Sequence, residues 1–420
     1  MISHQNKLLW LSLIIISANI FSGALGYLYQ ILIGRLLEPA DFVIFSAVIS
    51  LLVLFKSPLT TLLTVISKEV AHLKALNQNN YVSSIYKVLR KLSLYNALPL
   101  LLFYMLSYRF FMDYLKIDSH LAITMLFLLL FISPFCFINN GFLQGIQNFK
   151  WYSITTIAEV ILKIALCLLF ISSGLGLLGA LGGVLMAMFL VQSLGSFPIK
   201  QCLQIMNGEH GLIQNFHWLE KYSKYIPLLF GNIALVVLTQ LDILFINWYF
   251  PVSESSIYAV SSTLGKTILY LPAGIITAAL PMIATKHAKN EESKSLLLQS
   301  VILALLFCSS LTLFFWATEG FLIPLLFGDR YDNTGNLLGW YCLSMMPISI
   351  AMVIESAVIA KGRLLFSWLY IIFAPIQLLS IVYLHTTLLS VIHIIGITGL
   401  FILIIGLGIM YFRNGKNKNV

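Results

Sequence analysis

The stretch GYLYQILIGRLLEPADFVIFSAV, Gly26 to Val48, decides how this chain folds. A long apolar run is interrupted by Arg35, Glu38, Pro39 and Asp41, and then resumes. In a soluble protein such a break is a surface turn between two buried helices. In a membrane it is the tip of a hairpin whose polar residues barely clear the lipid. Composition selects the second reading: 59% of the residues are hydrophobic and 10% charged, against roughly 45–50% and 25% in a soluble domain.

Working outward from that hairpin, apolar stretches of about 20 residues, enough to cross a bilayer, recur along the chain. They fall at approximately 8–33, 42–66, 92–112, 121–143, 153–173, 175–196, 225–249, 256–284, 295–317, 336–360, 364–386 and 390–412. The spacing therefore predicts an all-α polytopic membrane protein with about twelve transmembrane helices. The first stretch follows a lone Lys7 but exceeds the roughly 7–15 apolar residues of a signal peptide, so it reads as an uncleaved span.

Cations set the orientation, because Lys and Arg flanking spans stay on the cytoplasmic side. With the N-terminus inside, eighteen of the 25 cations fall on inner segments and only Arg35, Arg109, Lys116 and Arg330 on outer ones. The remaining three, Lys56, Lys163 and Lys266, lie within spans. Both termini are thus expected in the cytoplasm. The net charge of +9 is accounted for by inner loops facing an anionic leaflet, with no need for a nucleic-acid partner.

Cys136, Cys167, Cys202, Cys308 and Cys342 have neither metal-ligand spacing nor an obvious pairing, and read as buried small residues. No HExxH, CxxC pair, Walker A loop or GxSxG occurs, so the sequence points to no metal, no cofactor and no hydrolytic chemistry. Outer connections are short, the longest expected at Thr318 to Gly335, which leaves no room for the large extracytoplasmic loop of a polysaccharide polymerase. Longer connections are expected inside, around residues 67–93 and 200–224. The second divides the chain into an N-terminal six-helix lobe, 1–199, an inter-lobe linker, 200–224, and a C-terminal six-helix lobe with a short cytoplasmic tail, 225–420.

The opening hairpin returns in the second lobe. QILIGRLLEPADFVIFSAV from Gln30 and DILFINWYFPVSESSIYAV from Asp242 match at Ile-Leu, Pro and Ala-Val with no gap, and after a two-residue slip Pro58 falls on Pro272. Both hairpins end at a cationic segment, ISKEVAHLK and ATKHAKN. With an even number of spans in each half the repeats are parallel, related by an axis along the membrane normal.

The first hairpin, followed by PLTTLLTVISKEVA, resembles the start of bacterial polysaccharide flippases of the multidrug/oligosaccharidyl-lipid/polysaccharide exporter superfamily. YIPLLFGNIALVVLTQLDILFINWYFPVSESSIYAVSSTLGKTILYLPAGIITAALPMIATKHAKN resembles the seventh and eighth helices of that family, and FLIPLLFGDRY its ninth outer loop. The resemblance covers most of the chain without a catalytic signature. It implies two six-helix lobes in a V around a central cavity, alternating access, and a lipid-linked oligosaccharide as cargo in the bacterial inner membrane. Lipid II flippases of the superfamily usually carry two further C-terminal spans, so a chain with twelve favours an O-antigen or other surface-polysaccharide repeat-unit flippase. Beyond membrane lipids and an undecaprenyl diphosphate-linked oligosaccharide, other polysaccharide-assembly membrane proteins are the expected partners. The alternatives are a cation-coupled multidrug exporter of the same superfamily and, from another class, a polysaccharide polymerase.

Such a cargo needs a hydrated path with cations at mid-depth, where a charge costs at least about 2.5 kcal/mol. Lys56 on the second helix and Lys266 on the eighth occupy corresponding helices of the repeat and are expected to face each other and hold the pyrophosphate. The alternative is that each snorkels to an interface or meets a carboxylate. Polar residues at helical spacing extend the expected lining: Asn19, Ser22, Gly26 and Gln30; Thr60 and Thr64 beside Lys56; Asn232, Thr239 and Asp242; and Ser262 and Tyr270 beside Lys266. Arg35 either holds phosphate or marks the headgroup level. Glu159 and Lys163, four residues apart, are expected to form a structural ion pair. Asp242 and Glu355 have no such neighbour on their own helices and are the candidates for ion coupling. Pro58, Pro272, Pro281 and Pro347 either bend helices between access states or kink them permanently.

Overall fold

The computed structural model describes residues 4–76, 78–117, 119–205, 226–270, 294–331, 337–360 and 364–416, and within them the chain is helical throughout. It divides into two compact units, Met1–Tyr225 and Ile226–Val420. Most of the expected linker 200–224 lies outside the described residues, as do Pro272 and Pro281.

In the first unit α1 (His4–Leu36) and α2 (Pro39–Ala75) form the opening hairpin. The turn is only Leu37 and Glu38. Glu38 is extended (φ −65, ψ 152) and Pro39 starts the next helix, where its missing N–H costs nothing and its fixed φ is already helical. Then follow α3 (Asn79–Tyr95), α4 (Ala97–Leu115), α5 (His120–Gly145), α6 (Phe149–Phe170) and α7 (Gly176–Ile205). The long connection expected at 67–93 is itself helical. The helix α2 continues to Ala75 and α3 begins at Asn79, so the segment is a helical hairpin. The reason is amphipathic patterning: Val82, Ile85, Tyr86 and Leu89 of α3 pack into one cluster with Ile66, Val70 and Leu73 of α2 and Ile138, Phe142 and Leu143 of α5, while Lys87 and Lys91 stay exposed.

Pro58 sits inside α2. Its ring removes the N–H that would have bonded the Leu54 carbonyl, and the Ser57 hydroxyl takes that acceptor at 2.8 Å. A side chain therefore satisfies the freed carbonyl, which membrane helices require. Between α6 and α7, Gly174 adopts φ +84, a conformation that a Cβ disfavours, and this turns the chain back. The two helices form a continuous 54-residue apolar stretch, Phe149–Cys202. At about 1.5 Å per residue it is long enough for two crossings of a roughly 30 Å hydrocarbon core.

The second unit contains α8 (Ile226–Gln240), α9 (Asp242–Tyr249), α10 (Val252–Gly265), α11 (Lys294–Phe327), α12 (Leu337–Ala360), α13 (Leu365–Leu384) and α14 (Leu388–Lys416). Its hairpin repeats the two-residue turn, with Pro251 extended (φ −66, ψ 157) before α10. Unlike α1, which runs unbroken past Gln30, the α8–α9 pair is bent by 43° at Leu241. The outer connection expected from Thr318 is shorter than foreseen, because α11 continues to Phe327 and a 3-10 turn follows at Asp329–Tyr331.

Seven stretches among the described residues are long and apolar enough to cross a membrane, eight when the bent α8–α9 pair is taken as one span. Length and composition thus recover fewer crossings than the twelve expected. α4 carries Arg109 and Asp113, the described part of α10 is 14 residues, and the side chains of the first half of α1 lie outside the described set. The surfaces agree with a lipid solvent: Leu98, Leu102, Met105 and Leu106 of α4 and Leu298, Leu306 and Leu313 of α11 are exposed. Contiguous apolar faces of this kind are rare on water-soluble monomers.

Candidate functional sites within the two units

The break in the second unit creates the most connected polar site. Asp242 begins α9 immediately after the bend, and its side chain is fully buried. Lys266 lies where α10 ends, 24 positions along the chain, and its Nζ donates to Asp242 Oδ1 at 3.3 Å and to Gln240 Oε1 at 3.1 Å. The other carboxylate oxygen, Oδ2, accepts from the Tyr258 hydroxyl at 2.9 Å and from the Tyr341 hydroxyl at 2.6 Å. The two tyrosine rings meet edge to face at 5.6 Å. Tyr341 reaches the site because Gly265 has no side chain; a Cβ there would strike the tyrosine ring. On the other side of the bend, Gln377 of α13 donates to the Leu238 carbonyl at 3.0 Å. A break in a membrane helix leaves backbone groups that must be satisfied inside the protein, and Gln377 supplies part of that.

Of the readings open for Lys266, the contact is the alternative one: it meets a carboxylate, Asp242, which has no partner on its own helix and reaches it from the preceding one. Burial of two opposite charges is tolerated only when they are paired and their remaining hydrogen-bonding capacity is used. Tyr258, Tyr341 and Gln240 complete that requirement and were not singled out from the sequence. Gln240 is two positions from Asp242 and Tyr258 two helical turns before Lys266, so a joint reading of the two helices finds both. Tyr341, 99 positions away, has no local signal.

The first unit holds a different arrangement. Glu159 and Lys163 of α6 form an ion pair at 2.5 Å. Lys56, from α2, lies within electrostatic reach of both, and its Nζ donates to the Met188 sulfur at 3.5 Å. A thioether is a weak acceptor. Two lysines and one carboxylate lie within electrostatic reach of one another, so the group carries a formal surplus of one positive charge.

Glu355 of α12 accepts from the Ser367 hydroxyl of α13 at 3.3 Å. The other expected residues are spread out. Thr60 and Thr64 donate to backbone carbonyls of their own helix, at 2.7 and 3.1 Å, and Thr239 to Leu235 at 2.8 Å. Gln30 and Asn232 are half-buried, while Asn19, Arg35 and Tyr270 are exposed. Among the described residues no group of three or more His, Cys, Asp or Glu has metal-binding geometry.

All-helical packing, lipid-facing exteriors and charged groups held inside spans define a multi-pass membrane protein, and its fold is that of the MurJ and multidrug MATE transporters. It superposes on the lipid II flippase MurJ in an inward closed conformation with a TM-score of 0.75 at 15% identity, covering 95% of this chain and 87% of that one. A MATE transporter in complex with MaD3S gives 0.67 at 14% identity, covering 98% and 97%. Residues 10–287 match the family model described as polysaccharide biosynthesis protein, and the chain belongs to that family. An uncharacterized membrane protein of Methanocaldococcus jannaschii is 25% identical over 362 residues, 80% of each chain.

Proposed function

We propose that this chain is a flippase of the bacterial inner membrane. In this reading it carries an undecaprenyl diphosphate-linked oligosaccharide repeat unit from the cytoplasmic to the periplasmic leaflet, by alternating access, for O-antigen or another surface polysaccharide. The single observation that supports it best is the surplus positive charge at Lys56, Glu159 and Lys163, in a chain of the polysaccharide biosynthesis protein family. A half-buried cation whose hydrogen-bond acceptor is a thioether is poised for an anion. A diphosphate meets that need by charge, since an ammonium acts as a point charge rather than a bidentate fork.

Lys56 is accordingly the principal cargo-binding residue of this reading. Arg35, Asn19, Gln30, Thr60, Asn232, Thr239 and Tyr270 are secondary contacts for phosphate and sugar. Lys266 is committed to Asp242 and is not assigned to the cargo. Of the two carboxylates expected to couple transport to an ion, Glu355 keeps that role here, because the neighbour that donates to it is a neutral hydroxyl. The MATE-like fold favours a second reading, a cation-coupled exporter of amphipathic cations. A surplus cation in the first unit opposes it by repelling such cargo.

Deletion of the gene followed by mass spectrometry of lipid-linked intermediates tests the proposal. Complete, unpolymerised repeat units accumulating on the cytoplasmic side support the flippase. Periplasmic accumulation indicates a polymerase, and altered drug sensitivity without accumulation indicates an exporter.

A further inference from the structure

We infer that the second unit contains a site for a monovalent cation that the chain fills with its own ammonium group. Lys266 takes the place of a free ion at Asp242.

Three observations lead there. First, the α8–α9 helix breaks with a 43° bend directly before Asp242, and broken membrane helices are where ion sites are built, because unwound backbone and helix ends converge on one point. Second, among the described residues the acceptors of the Lys266 nitrogen are both oxygen: Asp242 Oδ1 at 3.3 Å and the amide oxygen of Gln240 at 3.1 Å. Carboxylate and amide carbonyl oxygens are the donors that hard cations take in preference to sulfur or imidazole nitrogen. Third, Asp242 is held as a carboxylate acceptor by two tyrosine hydroxyls, both on Oδ2, so Oδ1 is left facing the cation. The acceptor oxygens do not depend on what supplies the positive charge. Lysine does so here because it follows Gly265, whose bare backbone lets α10 come close to Tyr341.

The consequence is that occupancy of this site is not set by the sodium or potassium concentration. The cation is covalently tethered, and its effective concentration is fixed by the helix that carries it. Any cycle of loading and release at Asp242 is then a movement of α10 relative to α9, rather than exchange with solvent. This inference concerns only the second unit and stands whichever cargo is carried.

The test uses the purified full chain in detergent or nanodiscs. Unfolding midpoints and retention of radioactive sodium are measured in sodium, potassium and choline chlorides at equal ionic strength. Unaltered protein is expected to retain no sodium above the choline control and to show the same Tm in all three salts. Lys266→Met empties the site, and is expected to gain both sodium retention and a saturable upward shift of Tm, as a ligand that binds only the folded state produces. Lys266→Met combined with Asp242→Asn is expected to lose both again. Sodium retained by unaltered protein and abolished by Asp242→Asn overturns the inference, as does a folded, monodisperse Lys266→Met variant that shows neither effect. Should Lys266→Met fail to fold, Lys266→Gln is read in the same way: sodium retention that Asp242→Asn abolishes supports the tethered ion, and a folded Lys266→Gln variant without it overturns the inference. The readout is cation binding rather than lipid transport, so its failure is separate from failure of the flippase reading.

Discussion

The Tyr341 hydroxyl donates to Asp242 at 2.6 Å across 99 positions of sequence, tying α12 to the point where α8 gives way to α9. A hydrogen bond to a charged acceptor contributes roughly 1.5–3 kcal/mol. Tyr341→Phe is therefore expected to lower stability by about that amount. Gly265→Ala, which pushes the tyrosine ring out of its place, is expected to cost a similar amount and to add little once Tyr341 is already Phe. Thermal unfolding of the two single variants and the double variant measures this; full additivity would show that Gly265 does not act through Tyr341.

The Asp242–Lys266 pair is expected to be strongly non-additive as well. Removing one member leaves an uncompensated buried charge, at about 3–5 kcal/mol, whereas replacing both by apolar residues is often neutral. Asp242→Leu and Lys266→Met should each destabilise the protein, and the double variant should recover most of the loss in denaturation midpoint.

Glu319 is nearly fully buried and accepts from the backbone N–H of Leu338 at 3.1 Å and of Gly339 at 3.3 Å, at the start of α12. It serves the first turn of a helix from a different helix, where a negative charge also complements the positive helix end. Loss of a capping acceptor costs about 0.5–2 kcal/mol. Glu319→Ala should lower Tm, and Glu319→Gln, which keeps one acceptor oxygen, should lower it less.

For transport, Lys56→Gln is expected to reduce restoration of surface polysaccharide in a deletion strain at normal membrane levels, while Lys56→Arg retains most of it. Glu159→Gln removes the carboxylate that Lys163 contacts, leaves two ammonium groups uncompensated, and should destabilise the protein more than Lys56→Gln does. Full complementation by Lys56→Gln would remove the anion-binding role and leave the lysine a structural one.

Orientation has its own test. A cysteine placed at Gln78, in the short turn between α2 and α3, is expected to react with a membrane-impermeant maleimide only when the cytoplasmic face is opened. Labelling from intact cells would invert the assignment of every loop.

The sequence by itself determined the solvent and the element type. Apolar runs of span length, broken at Pro39 and again at Pro251, leave no alternative to membrane helices, because in hydrocarbon a backbone must satisfy its own hydrogen bonds. It also showed the ion pair Glu159–Lys163, since residues four apart on a helix share a face whatever surrounds them. That the connection at 67–93 is helical is not legible from its charges, because the buried face of α3 is visible only against α2 and α5. The partnership of Asp242 with Lys266 was decided by tertiary structure alone. Each helix shows one charge without a local partner, and the sign of the sum becomes known only when the bend at Leu241 and the bare backbone at Gly265 bring the two together with Tyr258 and Tyr341. Periodicity places a charge on a face, but only packing between helices fixes what that face meets.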